Sequence, residues 1–554
     1  MPSMLCSAVW FFPLHVQLGS GYIQRGRKPW MLLKLATTRL LDVGYLLDKM
    51  AIYTLRRKHK STGILKVVDG NPSLLSCTLL PSPVPKILLH RAKNIQRDFN
   101  LLYHRVAMDH EFLDAILRPV LIVDPYLRSL WDIYSRIRTN QMAQDIVLGL
   151  NRSDYMLHVQ EDLCSAKRQA LMHRLQSTKL AAQSDIETKD EAWDGLSIKQ
   201  VEFNMIACSF CGLGQRIVPQ HRIALSLHGI SKDFNSRVPD CFSADRFSEA
   251  LLSACRMYIE DCSRRSLVPA KVSILVVVGD NEGNIYDHRA LIGCLLLKNP
   301  EVNVLYHSFN YLKTGLKLDP NFRLFVDNQE IAVVYFRTGY TPDAFPDEET
   351  WNVKYQLEKS LAIKCPCIQY MLANTKIIQA ALSKPKYLSR FFPPDSTSYV
   401  NILSTFVHQY TLDEEMEISD STEIHYAVSD CLLRPDDYVL KPQREGGGNN
   451  YFGEELAHKL KSIINHPERK FYILMKRIQP YTFENYVLDS SSMFKESEAR
   501  RMVTEIGIFG AILARKNHIF LNECSGHLLR SKPLESNEGG IVAGFGCLDS
   551  PFLV

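Results

Sequence analysis

The chain has 554 residues, 46% of them hydrophobic and 23% charged, with a formal net charge of +5. This composition is that of a folded globular protein with core enough for about three or four domains, and it excludes an intrinsically disordered chain. The near balance of charges predicts no nucleic-acid or membrane-surface binding, and the most hydrophobic run, 274–278, is far short of the roughly 20 residues that span a bilayer.

The amino-terminal segment is basic and apolar, with its densest charge run at 56–60. The hydrophobic spacing over 32–50 predicts an amphipathic helix, and the basic run is typical of a solvated face. We therefore expect residues 1 to about 60 to form a basic, helical extension.

Helical and strand patterns alternate from Leu80 onward, which is typical of an α/β protein with an open sheet and more than one lobe. Strand 198–206 would place Val201, Phe203 and Met205 on one face and Glu202 on the other. The predicted elements, in chain order, are helices 85–100 and 109–117, strands 198–206 and 272–279, helix 287–297, strands 301–306, 331–336 and 437–441, helix 454–464, strand 471–476 and helix 499–509.

Fourteen cysteines in so long a chain do not indicate a disulfide scaffold. Two close pairs, Cys208 with Cys211 and Cys365 with Cys367, have spacings that zinc sites use, but no second ligand pair follows either of them. We therefore predict buried thiols that pack as small apolar groups, in a protein of the reducing cytoplasm.

The most informative segment is KPQREGGGNN, residues 441–450, between a predicted strand and a predicted helix. Three consecutive glycines leave the backbone free to take positive φ, so its N–H groups can turn toward an anion. Lys441 ends the strand beside them, and Glu445 offers a hard oxygen for a divalent ion. The Walker A ending is missing, so the segment predicts a phosphate-binding loop of another kind.

Glu202 and Asn204 lie two residues apart on a predicted strand, so both side chains leave the same face. Two oxygen ligands at this spacing suit Mg²⁺. An exposed strand edge would show the same pattern, and both interpretations stay open from these residues alone.

Cationic residues beside glycines or turns indicate further anion sites. Arg152, Arg337, Arg530 and Lys532 each have this setting, although a surface ion pair is the commoner role of a single arginine. The small-residue run 538–544 is a second loop able to close over a ligand.

With these residues in view, the chain resembles the eukaryotic glutathione synthetase family of ATP-grasp ligases. The resemblance covers roughly residues 80–554, and residues 1–75 match poorly. The matching blocks are LGLNRSDYM (148–156), QVEFN (200–204), NIYDHRA (284–290), LFVDNQEIAVVYFRTGY (324–340), CPCIQYMLANTK (365–376), KPQREGGGNN (441–450), EIGIFG (505–510) and GHLLRSK (526–532).

This resemblance implies an α/β ATP-grasp fold with an interleaved α/β substrate-binding domain and a glycine-rich lid. The implied divisions are a poorly matched extension at 1–75, the first part of the catalytic unit at 76–270, a substrate-binding domain at 271–376, and a nucleotide-binding and lid region at 377–554. A homodimer is implied by analogy only.

The implied activity joins γ-glutamylcysteine to glycine. ATP first phosphorylates the cysteinyl carboxylate, and glycine's amine then attacks the acyl phosphate, giving glutathione, ADP and phosphate. Arg152, Lys441 and Glu445 would be the catalytic groups, with Arg152 as the transition-state cation.

The resemblance also implies the ligand contacts. Two Mg²⁺ ions per subunit would be held by Glu202, Asn204 and Glu445. ATP would contact Glu202, Lys376, Lys441, Pro442, Gln443, Arg444, Glu445, Gly446, Gly447, Gly448, Asn449, Asn450, Phe452, Met475, Lys476, Arg477, Ile478, Glu505, Lys532 and Glu538.

The peptide and acceptor contacts form a second implied set. Glycine's carboxylate would meet Arg530, in a pocket lined by Ile541 and Val542. The full implied set is Arg152, Ile206, Ala207, Cys208, Ser209, Glu282, Gly283, Asn284, His288, Arg337, Thr338, Gly339, Tyr340, Arg530, Ile541 and Val542.

The chain departs from the family pattern at several contact positions but keeps every implied metal ligand and phosphate lysine, so an inactive relative is not expected. Two other functions stay open: an ATP-grasp ligase with another acceptor, such as β-alanine, and a nucleotide-binding relative without catalysis. The departures are His288 for Gln, Thr338 for Asp, Ala207 and Cys208 for Ser and Ala, Phe452 for Tyr, and Lys476 for Glu.

Overall fold

The structure is a computed structural model, and it describes residues 63–140, 143–160, 193–227, 234–269, 271–444, 448–489, 499–537 and 539–554. All of them belong to one compact unit, Lys49–Val554. The predicted helix at 32–50 and the predicted contacts Glu445, Gly446, Gly447 and Glu538 lie outside the described residues.

Strands supply most of the framework around the site. In chain order they are β1 Leu65–Val68, β2 Asn71–Leu74, β3 Cys77–Thr78, β4 Ser82–Val84, β5 Ile146–Val159, β6 Leu196–Asn204, β7 Val272–Val277, β8 Asn303–His307, β9 Leu316–Leu318, β10 Leu324–Val326, β11 Gln329–Phe336, β12 Ile363–Cys365, β13 Gln409–Thr411, β14 Tyr438–Pro442, β15 Tyr472–Lys476, β16 Phe483–Asn485, β17 Val487–Leu488, β18 Arg500–Arg515, β19 His518–Pro533, β20 Cys547–Asp549 and β21 Pro551–Leu553.

Helices pack around these strands. They are α1 Lys86–Met108, α2 His110–Leu121, α3 Pro125–Thr139, α4 Cys211–Leu227, α5 Phe234–Arg237, α6 Ser243–Arg264, α7 Ile285–Lys298, α8 Phe309–Gly315, α9 Glu348–Lys359, α10 Ile368–Ala373, α11 Lys376–Leu382, α12 Pro385–Leu388, α13 Thr397–Thr405, α14 Ser421–Leu433 and α15 Gly453–Ile463, with 3₁₀ turns at Pro342–Ala344, Glu414–Met416, Pro435–Asp437 and Pro467–Phe471.

The largest sheet has the strand order β17-β3-β20-β19-β18-β5-β6, with β16 also paired to β18. Its centre is antiparallel: β18 pairs along its length with both β19 and β5, and β5 pairs with β6. Residues from widely separated parts of the chain therefore lie side by side on this sheet.

A second sheet has the parallel centre that the alternating pattern predicts. Strands β8, β7, β11 and β12 are parallel neighbours, and β10 and β9 extend the sheet in antiparallel fashion. Strand β8 is half-buried rather than buried as expected, because it lies at the edge.

A three-stranded antiparallel sheet, in the order β13-β15-β14, carries the segment that enters the glycine-rich loop. Its buried strand residues share a separate apolar cluster with α14 and α15, which includes Leu440, Leu456 and Leu474. Two short pairs, β1 with β2 and β4 with β21, complete the described sheets.

The predicted helix over 499–509 is wrong, because this segment begins the sixteen-residue strand β18. Both of its faces are covered: Phe509 contacts Phe247 of α6, and Gly510 faces Asn100 of α1. A strand buried on both faces has no polar alternation, so its apolar run cannot be distinguished from that of a buried helix by period alone.

The predicted alternation along β6 is interrupted at Val201. The register with β5 shifts there, as it does at a β-bulge, and Val201 borders the cavity beside Glu202 and Asn204. Phe203 and Met205 are buried, as predicted. One extra residue in a strand changes the phase of the alternation, which a period-two pattern cannot show.

Helix α1 fixes the inner face of β6. It begins after Pro85 and buries an apolar stripe at helical spacing. Its Phe99 and Tyr103 stack on Phe203, with ring centroids 5.8 and 4.1 Å apart. This packing turns Glu202 and Asn204 of the same strand toward the cavity.

The cysteines of the two close pairs are free and buried, as predicted for thiols that act as small apolar groups. Among the residues that the structure describes, no helix combines the length and apolar character needed to cross a bilayer.

Candidate active site

A cavity of about 580 Å³ lies where the largest sheet, the three-stranded sheet and the loop 539–543 meet. The sequence-predicted residues that line it are Arg152, Glu202, Asn204, Ile206, Ala207, Cys208, Ser209, Tyr340, Lys441, Asn450, Phe452, Met475, Lys476, Arg477, Ile478, Glu505, Arg530, Lys532, Ile541 and Val542.

Other predicted contacts do not line this cavity. Some of them reach its walls through neighbours, as described below for Lys376, Arg444 and Arg337. The described residues of this group are Lys376, Pro442, Gln443, Arg444, Gly448, Asn449, Glu282, Gly283, Asn284, His288, Arg337, Thr338 and Gly339.

The cavity has a charged floor, which we define as Arg152, Asp154, Glu202, Asn204, Glu505 and Arg530. Strand β5 places Arg152 and Asp154 two residues apart, so they share one face, and Arg152 Nε and Nη2 lie 2.6 and 2.8 Å from the Asp154 carboxylate. Arg530 Nη2 of β19 also donates to Asp154, at 2.8 Å, and to Glu505. Two arginines thus meet over a fully buried carboxylate.

Glu202 lies among cations. Burial opposes its charge, but the nearby Lys376, Lys441 and Arg530 outweigh that effect and lower the pKa of Glu202 to about 2. Lys376 Nζ lies 3.8 Å from Glu202 Oε2, and Lys441 Nζ donates to the carbonyl of Val201 at 3.0 Å. The carboxylate is therefore ionised at neutral pH and available to a cation.

Glu505 responds to the same floor differently. Burial raises its pKa, and the charges of Asp154 and Glu202 raise it further, whereas Arg530 lowers it. The charge of Glu505 is therefore disfavoured in this buried cluster, whereas that of Glu202 is favoured.

Part of the cavity lining is apolar, and we call this part the apolar slot. Met156, Val439, Met475, Ile478 and Val503 form part of its lining. The flat, mostly apolar ring system of a nucleotide base fits such a slot. Backbone groups of the adjacent strand can then form hydrogen bonds with the polar edge of the base.

Lys476 borders this slot, but its side chain points elsewhere. Its Nζ lies 3.1 Å from Asp430 Oδ2 and 4.2 Å from the centroid of the Tyr438 ring. The ammonium group therefore pairs with Asp430 of α14 and lies over the Tyr438 ring of β14.

The segment entering the glycine-rich loop is held from several sides. Arg444 Nη1 lies 2.7 Å from Asp124 Oδ2, and its guanidinium stacks over Phe471 at 4.5 Å. The Arg444 carbonyl accepts from Lys376 Nζ at 2.7 Å. Beyond it, Gly448 has φ +75°, a conformation that a glycine adopts without steric cost.

Arg337 organises the wall nearest the parallel sheet. It donates to the Cys208 carbonyl at 3.0 Å, to Ser209 Oγ at 3.1 Å and to His288 Nε2 at 3.0 Å. Burial, aided by the charge of Arg337, lowers the pKa of His288 to about 2, so His288 is a neutral acceptor. Both polar side-chain atoms of Asn284 are buried and lack a hydrogen-bond partner within the described part of the chain.

Sequence reasoning missed two buried carboxylates. Asp154 follows Arg152 at strand spacing, which is a signal that a same-face ion pair leaves in the sequence. Asp287 lies inside the block NIYDHRA, and it accepts from the backbone N–H groups of Phe210, Gly212 and Leu213 at 2.7–2.9 Å. Asp287 therefore fixes the start of α4, directly after residues 206–210, which line the cavity. No local sequence pattern predicts this long-range contact.

A family model described as the ATP-binding domain of eukaryotic glutathione synthase matches residues 54–553. Glutathione synthetase of Homo sapiens is 35% identical over 477 residues, covering 86% of this chain and 90% of the human protein. The enzyme of Rattus norvegicus is 34% identical with the same coverage, and the chloroplastic enzyme of Arabidopsis thaliana is 33% identical, covering 86% of this chain and 78% of the plant protein.

A solved structure has a similar fold. The apo form of a glutathione synthetase-like effector from Globodera pallida superposes with a TM-score of 0.67 at 23% identity, covering 92% of this chain and 97% of the effector. The match over nearly the whole described unit, together with the glycine-rich segment and the charged floor, leads to one conclusion: the chain belongs to the eukaryotic glutathione synthetase family.

Proposed function

We propose that the chain joins γ-glutamylcysteine to glycine at the cost of ATP, through an acyl phosphate, and releases glutathione, ADP and phosphate. The observation that carries this proposal is the cavity itself. It brings together an apolar slot, lysines beside Glu202 and two arginines over a shared carboxylate, which suits a nucleotide and an anionic peptide that must meet.

The donor set fits Mg²⁺. Asn204 Nδ2 donates to Glu202 Oε1 at 3.1 Å and to Asp154 Oδ2 at 2.8 Å, so its amide oxygen is directed away from both carboxylates. Because the described residues contain no group of three acidic, His or Cys side chains placed to hold a metal ion, phosphate oxygens would have to complete the coordination. Glu202, Asn204 and Glu445 would hold two Mg²⁺ ions, which supply charge neutralisation on the phosphates.

ATP would lie with its base in the apolar slot and its phosphates under the glycine-rich segment. Lys376, Lys441 and Lys532 neutralise phosphate charge, while backbone N–H groups of the loop orient the γ-phosphate. Glu505 lies beside the slot, where it can accept from the ribose hydroxyls.

The peptide's cysteinyl carboxylate would meet Arg152, which stabilises the charge that develops as the phosphoryl group is transferred and as the acceptor amine attacks. Arg337, Ser209 and the unpartnered Asn284 would bind the γ-glutamyl end. Arg530 would hold the carboxylate of glycine beside Ile541 and Val542.

The assembly and location are proposed by analogy with the family. We propose a homodimer in the cytoplasm, in line with the free, buried thiols of the described chain.

The test uses the purified full chain with ATP, Mg²⁺ and γ-glutamylcysteine, with and without glycine. Phosphate release is measured together with product mass. We expect one phosphate for each glutathione formed, and little release without glycine.

β-Alanine in place of glycine tests the acceptor. It needs room for one more methylene, and such a difference typically allows about 10- to 200-fold discrimination in kcat/KM. Val542 packs close to Gly283, so Val542→Ala should weaken this preference. Equal use of both acceptors by the parent chain, or no ligation at all, would contradict the proposal.

A further inference from the structure

Asp154 is the buried carboxylate on which the charged floor converges, with none of its side chain exposed. Besides the two bonds from Arg152, it accepts from Arg530 Nη2 and from Asn204 Nδ2, both at 2.8 Å. Its partners come from β5, β6 and β19, so one side chain joins three strands of the sheet.

The fold leaves room for this arrangement at one position of β18. Gly507 lies opposite Asp154, and a Cβ there would lie 2.9 Å from Arg152 Cδ and 3.0 Å from Asp154 Oδ1. Both atoms belong to a buried ion pair and cannot move aside freely. A glycine at this position is therefore required by the close approach of the pair to the strand.

The electrostatic consequence is direct. Two guanidinium groups held this close repel each other, and a carboxylate that each of them contacts offsets the repulsion. The same carboxylate orients the amide of Asn204, because it accepts only from the Nδ2 side. Removing its charge would release all three groups at once.

We propose that Asp154 is the positioning residue of this active site, fixing Arg152, Arg530 and Asn204 in one frame so that both carboxylates of the substrates and the metal ligand are presented together. This inference rests on the proposed function. Asp154 acts indirectly, through the two arginines that would bind the substrates and through the proposed metal ligand Asn204.

The first test is Asp154→Asn, which keeps the shape and removes the charge. We expect kcat to fall about 100-fold, the scale of a displacement near 1 Å at a reacting centre. KM for glycine should rise about tenfold through Arg530, since charge-assisted hydrogen bonds are the strong ones. KM for ATP should rise less than KM for glycine, because Asp154 has no hydrogen bond to the phosphate-side lysines and reaches the nucleotide only indirectly, through Asn204 and Arg530.

Asp261→Asn is the matched control. Asp261 is also buried and also pairs with arginines, accepting from Arg265 at 2.9 Å and from Arg515 at the far end of β18. It should lose stability without any change in the KM values. Equal kinetic damage in both variants, or a rise in KM for ATP equal to that for glycine, would refute the proposal.

Gly507→Ala gives a second, independent test that keeps every charge. The added Cβ displaces the Arg152–Asp154 pair, so the same split between KM for glycine and KM for ATP should appear. If Asp154→Asn fails to fold, this variant decides, and parent-like kinetics would overturn the proposal.

A crystal structure of Asp154→Asn separates this inference from the proposed function. Displacement of both guanidinium groups supports the positioning role, and unchanged positions refute it. If the parent chain makes no glutathione, the proposed function fails, while this structural result still stands on its own.

Discussion

Two walls of the cavity are built in opposite ways. The glycine-rich edge, residues 441–450, is one continuous piece of chain that follows β14. The charged floor is assembled from β5, β6, β18 and β19, and Asp154 and Arg530 are 376 residues apart. On our proposal the first binds phosphate through backbone groups, which any local sequence rich in glycine can present. The second uses charged side chains that must hold one another in place.

The difference explains why the two walls leave unequal traces in the sequence. A loop whose N–H groups bind anions needs glycines next to one another, so its composition is conspicuous. An ion-pair network needs only one residue from each strand, and each of those residues alone resembles a surface charge. The comparison predicts that changes on the floor impair turnover most, and changes at the edge mainly impair nucleotide binding.

The largest expected effect is at Glu202, where the two walls meet. Glu202→Gln should lower kcat about 100- to 1,000-fold, since a preorganised charge is lost at the phosphates. The matched control is Glu348→Gln, an exposed glutamate in the first turn of α9, which should leave steady-state rates unchanged. Near-parental turnover of Glu202→Gln in saturating Mg²⁺ would contradict the metal assignment.

Asp549 is a buried carboxylate to compare with those of the charged floor, because its hydrogen-bond partners are hydroxyl groups instead of cations. Burial raises its pKa to about 6 despite hydrogen bonds from Ser531, Ser82 and Thr78. Between pH 4 and 6 the folded state therefore keeps a proton on Asp549, whereas the unfolded state has already lost it. Stability from this group is present below pH 4 and declines as pH rises through 6.

Urea denaturation of the parent and of Asp549→Asn, from pH 4 to 7.5, measures this dependence. The difference in unfolding free energy between the two should shrink by about 3 kcal/mol over that range, at 1.36 kcal/mol for each pKa unit. A difference that is constant with pH would show that Asp549 keeps an ordinary pKa in the fold.

Substitution of Gly448, compared with substitution of the matched glycine Gly70, tests whether the glycine-rich edge binds phosphate. Gly448 and Gly70 have φ of +75° and +74°, and a Cβ at either meets nothing within 4 Å. Alanine at each should cost stability about equally, roughly 1 kcal/mol. Only Gly448→Ala should also raise KM for ATP, by about tenfold, because it turns an N–H away from the phosphates. Equal KM values for ATP in the two variants would contradict the assignment of this loop to the phosphate site.

The smallest effect is expected at Lys476. Because its ammonium pairs with Asp430 rather than entering the slot, Lys476→Ala should change KM for ATP by less than about twofold and cost at most about 1 kcal/mol in stability. Lys441→Ala is the comparison, and it should raise KM for ATP far more. A tenfold rise for Lys476→Ala would show that the side chain reaches the nucleotide.

Much of the fold was predictable where the pattern is local. Helix α1 and strand β14 lie at the predicted places, because an apolar stripe and a buried run each have their own period. Strand β18 was mistaken for a helix, since its two covered faces remove that period. The bulge at Val201 could not be predicted from the sequence for a related reason. It changes the phase of the alternation between the two faces of the strand without changing the residue types.

The sequence by itself determined the family and the position of the glycine-rich segment, because adjacent glycines are visible in the chain order. It also indicated Glu202 with Asn204, whose spacing on a strand places both on one face. Only the tertiary structure decided that Arg152 and Arg530 share Asp154, that Lys476 points away from the slot, and that Glu202 lies among cations. Those facts depend on which strands pair, and the electrostatic energy of a side chain is set by neighbours that the chain order does not reveal.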